Sequence, residues 1–265
     1  MRRADIPVAL TIAGSDSCGG AGVQMDLKVF SALEVYGAAV ITAVTAQNSV
    51  GVRGFRAVPA RLVAEQLAAV LADLPVGAVK TGMLWSAENV RAVAREIGIS
   101  GRNVPLVIDP VIWAKDGSRL LSERGTRALL KHLLPLAEVI TPNLGEVKSL
   151  CGLAVKSAEG ARRAAEKLVA MGAKAALVKG GHLAGEAVDV FFDGRTFREF
   201  RARERAPGVI HGTGCALSAA ITGYLARGYA LAEAIACAHA DIQRLIHHAI
   251  QLGKGSLLLL PESQA

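Results

Sequence analysis

Aromatic residues make up only 4% of this 265-residue chain, too few for the stacking platforms on which single-stranded nucleic acid is held. The formal charge of +7 would otherwise invite a nucleic-acid partner. Basic residues are dispersed, however, and the densest stretch, Arg201, Arg203 and Arg205, is interrupted by Glu204. The charge therefore speaks to solubility and to attraction for anionic small molecules such as nucleotides, and no nucleic-acid partner is expected. Cysteine is also sparse. Cys18, Cys151, Cys215 and Cys237 form no C-x-x-C pair and no zinc spacing, and four are too few to scaffold a chain of this length through disulfides. A reducing, cytoplasmic setting fits. Glycines and charges break every apolar run before it reaches transmembrane length, so no membrane partner is expected. Met1-Arg2-Arg3 ahead of residues 8–13 mimics a signal peptide only faintly, because the apolar run is short and no cleavage site follows.

Two nucleotide-binding fingerprints are missing as well. The first Gly-rich turn, Gly14-Ser15-Asp16-Ser17-Cys18-Gly19-Gly20-Ala21-Gly22, lacks the G-x-G-x-x-G spacing, and no strand ending in an acidic residue follows at the distance a dinucleotide fold requires. Gly253-Lys254-Gly255-Ser256 lacks the upstream glycine of a P-loop and the strand before it. What the chain does have is material for a core, with 52% hydrophobic residues, enough for a single domain over residues 1–265.

Short apolar runs at 8–13, 40–46, 78–81, 106–109, 139–141 and 175–179 read as strands. Amphipathic patterns at 22–33, 60–74, 87–97, 122–133 and 157–171 read as helices between them. Near-continuous apolar strands alternating with helices predict an α/β fold, a mostly parallel central sheet with helices on both faces. Residues 188–192 and 196–200 read as a hairpin joined by a primed turn at Asp193-Gly194, and helices at 213–226 and 231–249 complete the domain.

In such sheets, chemistry gathers beyond the C-terminal ends of the strands. The Gly-rich turn lies there. It serves either a close approach of backbone to a ligand or tight helix–sheet packing. Asp109 ends one strand. Asn143 and Glu146 open a helix at i,i+3 spacing and offer hard oxygens for magnesium, or else simply cap that helix. Lys179, before Gly180-Gly181-His182, supplies a cation for a polyphosphate, or a solvated strand end.

The richest segment is His211-Gly212-Thr213-Gly214-Cys215, running into small helix-forming residues. Gly212, Thr213 and Gly214 would place backbone N–H groups at a helix N-terminus, an anion site. Cys215 in the first turn would have its pKa lowered by the helix dipole; the alternative is a small core cysteine. Anion loop, lysine, acidic groups and Gly-rich turn together are the parts of a phosphoryl-transfer site, with Cys215 placed to accept the proton of the attacking hydroxyl.

The ordered set Ala13-Gly14-Ser15-Asp16, Gly19-Gly20-Ala21-Gly22-Val23-Gln24, Asp26-Leu27-Lys28, Thr45-Ala46-Gln47-Asn48, Lys80-Thr81-Gly82-Met83, Asp109-Pro110-Val111, Thr141-Pro142-Asn143, Lys179-Gly180-Gly181-His182 and His211-Gly212-Thr213-Gly214-Cys215 resembles the hydroxymethylpyrimidine/phosphomethylpyrimidine kinases of thiamine biosynthesis, within the ribokinase-like superfamily. That resemblance implies a three-layer ribokinase-like fold, ATP and Mg2+ as cofactors, a small-molecule pyrimidine alcohol as substrate, and a homodimer. It also implies that Gln47 hydrogen-bonds the aminopyrimidine, that Gly14, Ala21, Asp26, Met83 and Val111 shape its pocket, and that Cys215 meets the attacking hydroxyl. Lys179 and Asn143 would then face ATP, with Asp109 and Glu146 toward the metal. Pyridoxal kinases of the same superfamily are the nearest alternative. Met25, Ile112-Trp113, the lead-in at 206–210 and the tail at 255–260 depart from the family pattern, and bear on substrate breadth more than on the reaction.

Overall fold

Alternation along short apolar strands decides how this chain layers. In the computed structural model, which describes residues 6–114, 117–181, 188–201 and 208–261, strand β1 (Val8–Ser15) sends Val8, Leu10 and Ile12 into one buried cluster and Ala9 into another. Successive side chains of a strand point to opposite faces. The same division recurs in β4 (Ala78–Thr81), β5 (Leu106–Ile108), β6 (Val139–Ile140) and β7 (Ala176–Val178), where Val79, Ile108, Ile140 and Val178 face one way and Ala78, Val107, Val139 and Leu177 the other.

Helices α2 (Ala60–Asp73), α3 (Ala87–Ile99), α4 (Glu123–Ala128), α5 (Leu144–Cys151) and α6 (Ala158–Ala170) cover the first face. Helices α1 (Gly22–Ala32), α7 (Thr213–Ala226) and α8 (Leu231–His247) cover the second. With β2 (Tyr36–Gln47), β3 (Val52–Ala57), β8 (Val188–Phe192) and β9 (Phe197–Arg201), the strands form one sheet in the order β3-β2-β1-β4-β5-β6-β7-β8-β9. From β2 through β7 that row is parallel; β3 and β8 run against it at its two edges, and β9 pairs antiparallel to β8. The expected α/β architecture is therefore the observed one.

Four details differ from the expectation. Strand β2 extends to Gln47, so Gln47 closes the strand instead of following it. The edge strand β3 carries no strand signal of its own, because Gly54, Arg53 and Arg56 dilute its apolar alternation. The helix expected over 122–133 ends at Ala128, then widens to a π turn over Leu129–Leu133 and tightens to a 3-10 turn over Leu134–Leu136, where Pro135 has no N–H to continue the ladder. The hairpin turn centres one residue later than expected. Of its residues only Gly194 has positive φ, +89°, and Asp193 Oδ1 accepts the N–H groups of Arg195 and Thr196.

Two short strands, β10 (Ile210–His211) and β11 (Leu257–Leu258), pair in a separate parallel sheet. The tail that departs from the family pattern thereby braces the segment leading into α7. All four cysteines are free thiols. No helix among the described residues is long and apolar enough to cross a membrane. Lys115-Asp116, His182, Arg203, Glu204, Arg205 and Ala206-Pro207 lie outside the described residues.

Candidate active site

Two glycine-rich loops interlock at the C-terminal edge of the sheet. Gly22 opens α1 at φ +57°, and a Cβ there would sit 2.3 Å from the carbonyl oxygen of Gly14. Gly212 precedes α7 at φ +81°, and its Cβ would fall 1.8 Å from the oxygen of Gly20. Only glycine fits either position. Asp16 pins the first loop: its Oδ1 accepts Cys18 N–H at 2.9 Å, and its Oδ2 accepts Gly20 and Ala21 N–H at 3.1 and 2.8 Å. Burial alone would raise its pKa, but His211 and these N–H groups outweigh it and hold the carboxyl below the usual range.

No side chain caps the N-terminus of α7, which leaves its first N–H groups for a ligand. Lys179 stands beside them. A Cβ at Gly214 would lie 3.0 Å from Lys179 Nζ and 3.9 Å from Asp109 Oδ2, so a side chain there would crowd the cation. Lys179 Nζ donates to Asp109 Oδ1 at 3.0 Å. Burial works against its charge, yet Asp109 and Glu146 outweigh it and push the pKa up to about 12. Asp109 is itself held by Ser218 Oγ at 3.3 Å and, more loosely, Thr141 Oγ1 at 3.5 Å.

Beneath this cluster lies a second ion pair. Lys80, on the α1 side of β4, is fully buried and donates to both oxygens of Asp26 at 2.8 and 2.7 Å, while Thr11 Oγ1 donates to Asp26 at 2.6 Å. Asp26, expected to shape the substrate pocket, is thus wholly enclosed and meets Lys80 and Thr11 instead of an open surface. Burial opposes the charge of Lys80, but Asp26, Cys215 and Asp109 hold its pKa above the ordinary lysine value.

Cys215 occupies the first turn of α7 as expected, half-buried at the crevice. Its acidity is not as expected. Burial pushes the thiol up to about 11; Lys80 pulls it down, but the negative charges of Asp109 and Asp26 work the other way. The helix dipole favours a thiolate, but desolvation and two neighbouring carboxylates overrule it. At neutral pH Cys215 is a thiol.

Asn143 and Glu146 form a complete capping box on α5: Asn143 Oδ1 accepts Glu146 N–H at 3.0 Å, and Glu146 Oε2 accepts Asn143 N–H at 2.9 Å. Glu146 Oε1 also accepts Ile112 N–H at 3.2 Å. The capping alternative is therefore real, and the carboxylate has a structural task. Burial first, and then the charge of Asp109, raise the Glu146 pKa to about 7 despite Lys179 and the two N–H donors. Asp109 and Glu146, with Lys179 between them, offer carboxylate oxygens of the kind that suit a divalent ion. Among the described residues no group of three or more His, Cys, Asp or Glu side chains converges as a metal cage. Phosphate oxygens and water would have to complete the shell, as is usual for magnesium.

At the other end of the loop cluster, a Cβ at Gly14 would sit 3.1 Å from Met83 Sδ, so these two expected pocket residues touch. Ala21 borders the Asp16 loop, and Val111 follows Asp109-Pro110 with a strained φ of +39°. Gln47 reaches across to His211, its amide 2.9 Å from Nε2, and the same Nε2 lies 3.0 Å from Asp16 Oδ2. The fold thus joins Asp109, Lys179 and Gly214 through direct contacts at one end, and Gly14 with Met83 and Gln47 with His211 at the other. Lys80, Ser218, Asp16 and His211 had no role assigned from sequence, although three of them lie within the quoted motifs. The signal for Lys80 was a charged residue inside an apolar strand run, and for Asp16 and His211 an ionisable side chain at the mouth of a glycine-rich loop.

Residues 16–259 match the phosphomethylpyrimidine kinase family. A hydroxymethylpyrimidine/phosphomethylpyrimidine kinase of Rhizobium meliloti is 48% identical over 252 residues, 94% of each chain. The thiamine biosynthesis bifunctional protein of Geobacter sulfurreducens is 46% identical over 257 residues; these are 96% of this chain but 52% of that longer protein. Among solved structures, phosphomethylpyrimidine kinase from Clostridium difficile superposes with a TM-score of 0.81 at 40% identity, covering 91% of this chain and 99% of that one. Pyridoxal kinase from Staphylococcus aureus in complex with AMP-PCP and pyridoxal gives 0.88 at 32% identity, covering 98% and 94%. Interlocked glycine loops, a lysine over an uncapped helix end and a sequence match that runs through all of them lead to one assignment: the chain belongs to the phosphomethylpyrimidine kinase family.

Proposed function

We propose that this protein transfers the terminal phosphoryl group of ATP to the hydroxymethyl oxygen of 4-amino-5-hydroxymethyl-2-methylpyrimidine, and then to the resulting monophosphate, giving the diphosphate used in thiamine biosynthesis. The observation that carries the reading is Lys179 Nζ held by Asp109 beside Gly214, at the uncapped N-terminus of α7 and one residue from Cys215. Phosphoryl transfer asks little covalent chemistry of a protein and much positioning. Lys179 and the N–H groups of Gly214 and Cys215 meet charge developing on the transferring group. Cys215, a thiol at rest, orients the attacking hydroxyl. Because the thiol already holds its hydrogen, the hydroxyl proton passes instead to an oxygen of the transferring phosphoryl group as the new O–P bond forms and the bond to the departing ADP oxygen breaks.

Asp109 and Glu146 would hold Mg2+ together with the nucleotide, which Asn143 and Lys179 face; the ion would neutralise phosphate charge. Gln47, with Gly14, Ala21, Met83 and Val111, receives the pyrimidine. A single kinase domain, a homodimer and a cytoplasmic setting complete the reading. Pyridoxal is the second substrate to weigh, because the pyridoxal kinase superposes with a TM-score of 0.88. The test is ADP release with product identification by 31P NMR. ADP should form with the pyrimidine alcohol and again with its monophosphate. ADP formation with pyridoxal alone contradicts the proposal.

A further inference from the structure

One ring nitrogen, Nε2 of His211, faces two partners: Asp16 Oδ2 at 3.0 Å and the Gln47 carboxamide at the position assigned to its Nε2, 2.9 Å away. Only one pattern of hydrogens satisfies both. An ionised carboxylate can only accept, and Asp16 already gathers the N–H groups of Cys18, Gly20 and Ala21. A bare Nε2 would set two acceptors against each other, so Nε2 carries its single hydrogen and shares it, as one three-centre donor, between Asp16 and the Gln47 amide. That N–H cannot face an amide NH2. Since amide oxygen and nitrogen are assigned from their partners and not from shape, the carboxamide oxygen of Gln47 is the atom turned to His211.

The imidazole is also clamped. A Cβ at Gly20 would fall 2.6 Å from His211 Cδ2 and 2.8 Å from Leu258 Cδ2, so the ring lies against bare backbone. Its own backbone is paired with Leu258 in the β10–β11 sheet, and Gly212 after it is locked against Gly20. Neither the ring nor its donor direction is free to change.

We propose that His211 is a positioning residue for substrate recognition: anchored on Asp16, it holds the Gln47 amide with its oxygen inward and its NH2 offered to a ring-nitrogen acceptor of the bound heteroaromatic alcohol. This rests on the reading that Gln47 touches the substrate ring. The second lone pair of the amide oxygen remains for an exocyclic amine next to that ring nitrogen, so an aminopyrimidine edge is matched at both atoms.

The experiment compares steady-state kinetics of wild type, Gln47→Leu, His211→Leu, His211→Gln and the double Leu variant with the pyrimidine alcohol. His211→Leu should raise KM about tenfold, the scale of one lost hydrogen bond, while kcat stays within about threefold. His211→Gln, whose NH2 can donate to both acceptors, should bring KM back to within about threefold of wild type. The double variant should be no worse than Gln47→Leu alone, because the two residues act as one unit. A raised KM in Gln47→Leu with none in His211→Leu overturns the inference and leaves the role of Gln47 standing; no effect of Gln47→Leu overturns both. Independently of activity, long-range 1H–15N spectra of the ligand-free wild type, assigned by loss of the signal in His211→Gln, should show Nε2 protonated at neutral pH. A bare Nε2 with hydrogen on Nδ1 would overturn it.

Discussion

Gly212 and Gly214 stand two residues apart in one loop, yet alanine should harm them in opposite ways. At Gly212, φ is +81° and a Cβ would meet Gly20 O at 1.8 Å. The left-handed conformation alone costs an L-residue about 1–2 kcal/mol, and the backbone overlap forces the two loops apart. At Gly214 the backbone is helical and the nearest atom is the flexible tip of Lys179, 3.0 Å away. Alanine is a better helix former than glycine by up to ~1 kcal/mol, which in a chain of this size corresponds to a Tm unchanged or raised by about 2–4 °C. The methyl nevertheless stands between Lys179 and the N–H groups where a phosphoryl oxygen must come within hydrogen-bond distance, so kcat should fall roughly a hundredfold, the scale of one lost oxyanion donor. Differential scanning fluorimetry and ADP-release kinetics on both variants separate the effects. Gly212→Ala loses Tm and activity together; Gly214→Ala loses activity alone. A Gly214→Ala enzyme with near-normal kcat would refute the placement of the transferring phosphoryl.

Cys215→Ala should lower turnover by about a hundredfold while KM for the pyrimidine changes little, as expected for a group acting in the transition state. With the thiol pushed up to about 11, peptide-resolved alkylation of Cys215 should be slow at neutral pH and climb steeply toward that value; a midpoint near neutrality would restore the depressed thiol expected from sequence. Asp26→Asn leaves Lys80 buried without its counter-ion and should cost about 3–5 kcal/mol of stability by chemical denaturation, a loss below 1 kcal/mol being evidence against the buried ion pair. Glu146 has a folded pKa of about 7 against an ordinary 4.5, so the folded protein binds the proton more tightly and Glu146 costs stability progressively as pH rises from about 4.5 to 7. The Tm of Glu146→Gln should therefore gain on wild type across that window and then level, whereas a constant difference would mean that Glu146 titrates as an ordinary carboxylate.

The parallel strands were legible because each carries a two-residue division between faces within a run too short for a helix; Val79 and Ala78 show it in four residues. The glycine loops were legible because Gly22 and Gly212 occupy backbone conformations that no other residue tolerates. Strand β3 was hidden, since an exposed edge strand needs no apolar alternation, and so were β10 and β11, whose pairing joins segments far apart in sequence. The acidity expected of Cys215 from its motif fails for a related reason. A helix dipole is local and visible in a motif, whereas the carboxylates of Asp26 and Asp109 and the burial that outweighs it come from other elements. Lys80 is one charged residue within the apolar strand run at 78–81. Its role appears only when α1 brings Asp26 against it. The bond from Gln47 to His211 needed the end of β2 to meet the end of β10, 164 residues away in sequence.

The account stands most directly on what Gln47 selects. The measurement is kcat/KM for 4-amino-5-hydroxymethyl-2-methylpyrimidine and for pyridoxal, each in wild type and in Gln47→Leu. A ring nitrogen beside an exocyclic amine uses both the donor and the acceptor of the carboxamide, while pyridoxal, with a phenolic oxygen and an aldehyde, cannot reproduce that pairing. Wild type should prefer the pyrimidine, and Gln47→Leu should weaken it by about 1–3 kcal/mol with a smaller loss for pyridoxal. Equal losses for the two alcohols, or a wild-type preference for pyridoxal, would contradict the account.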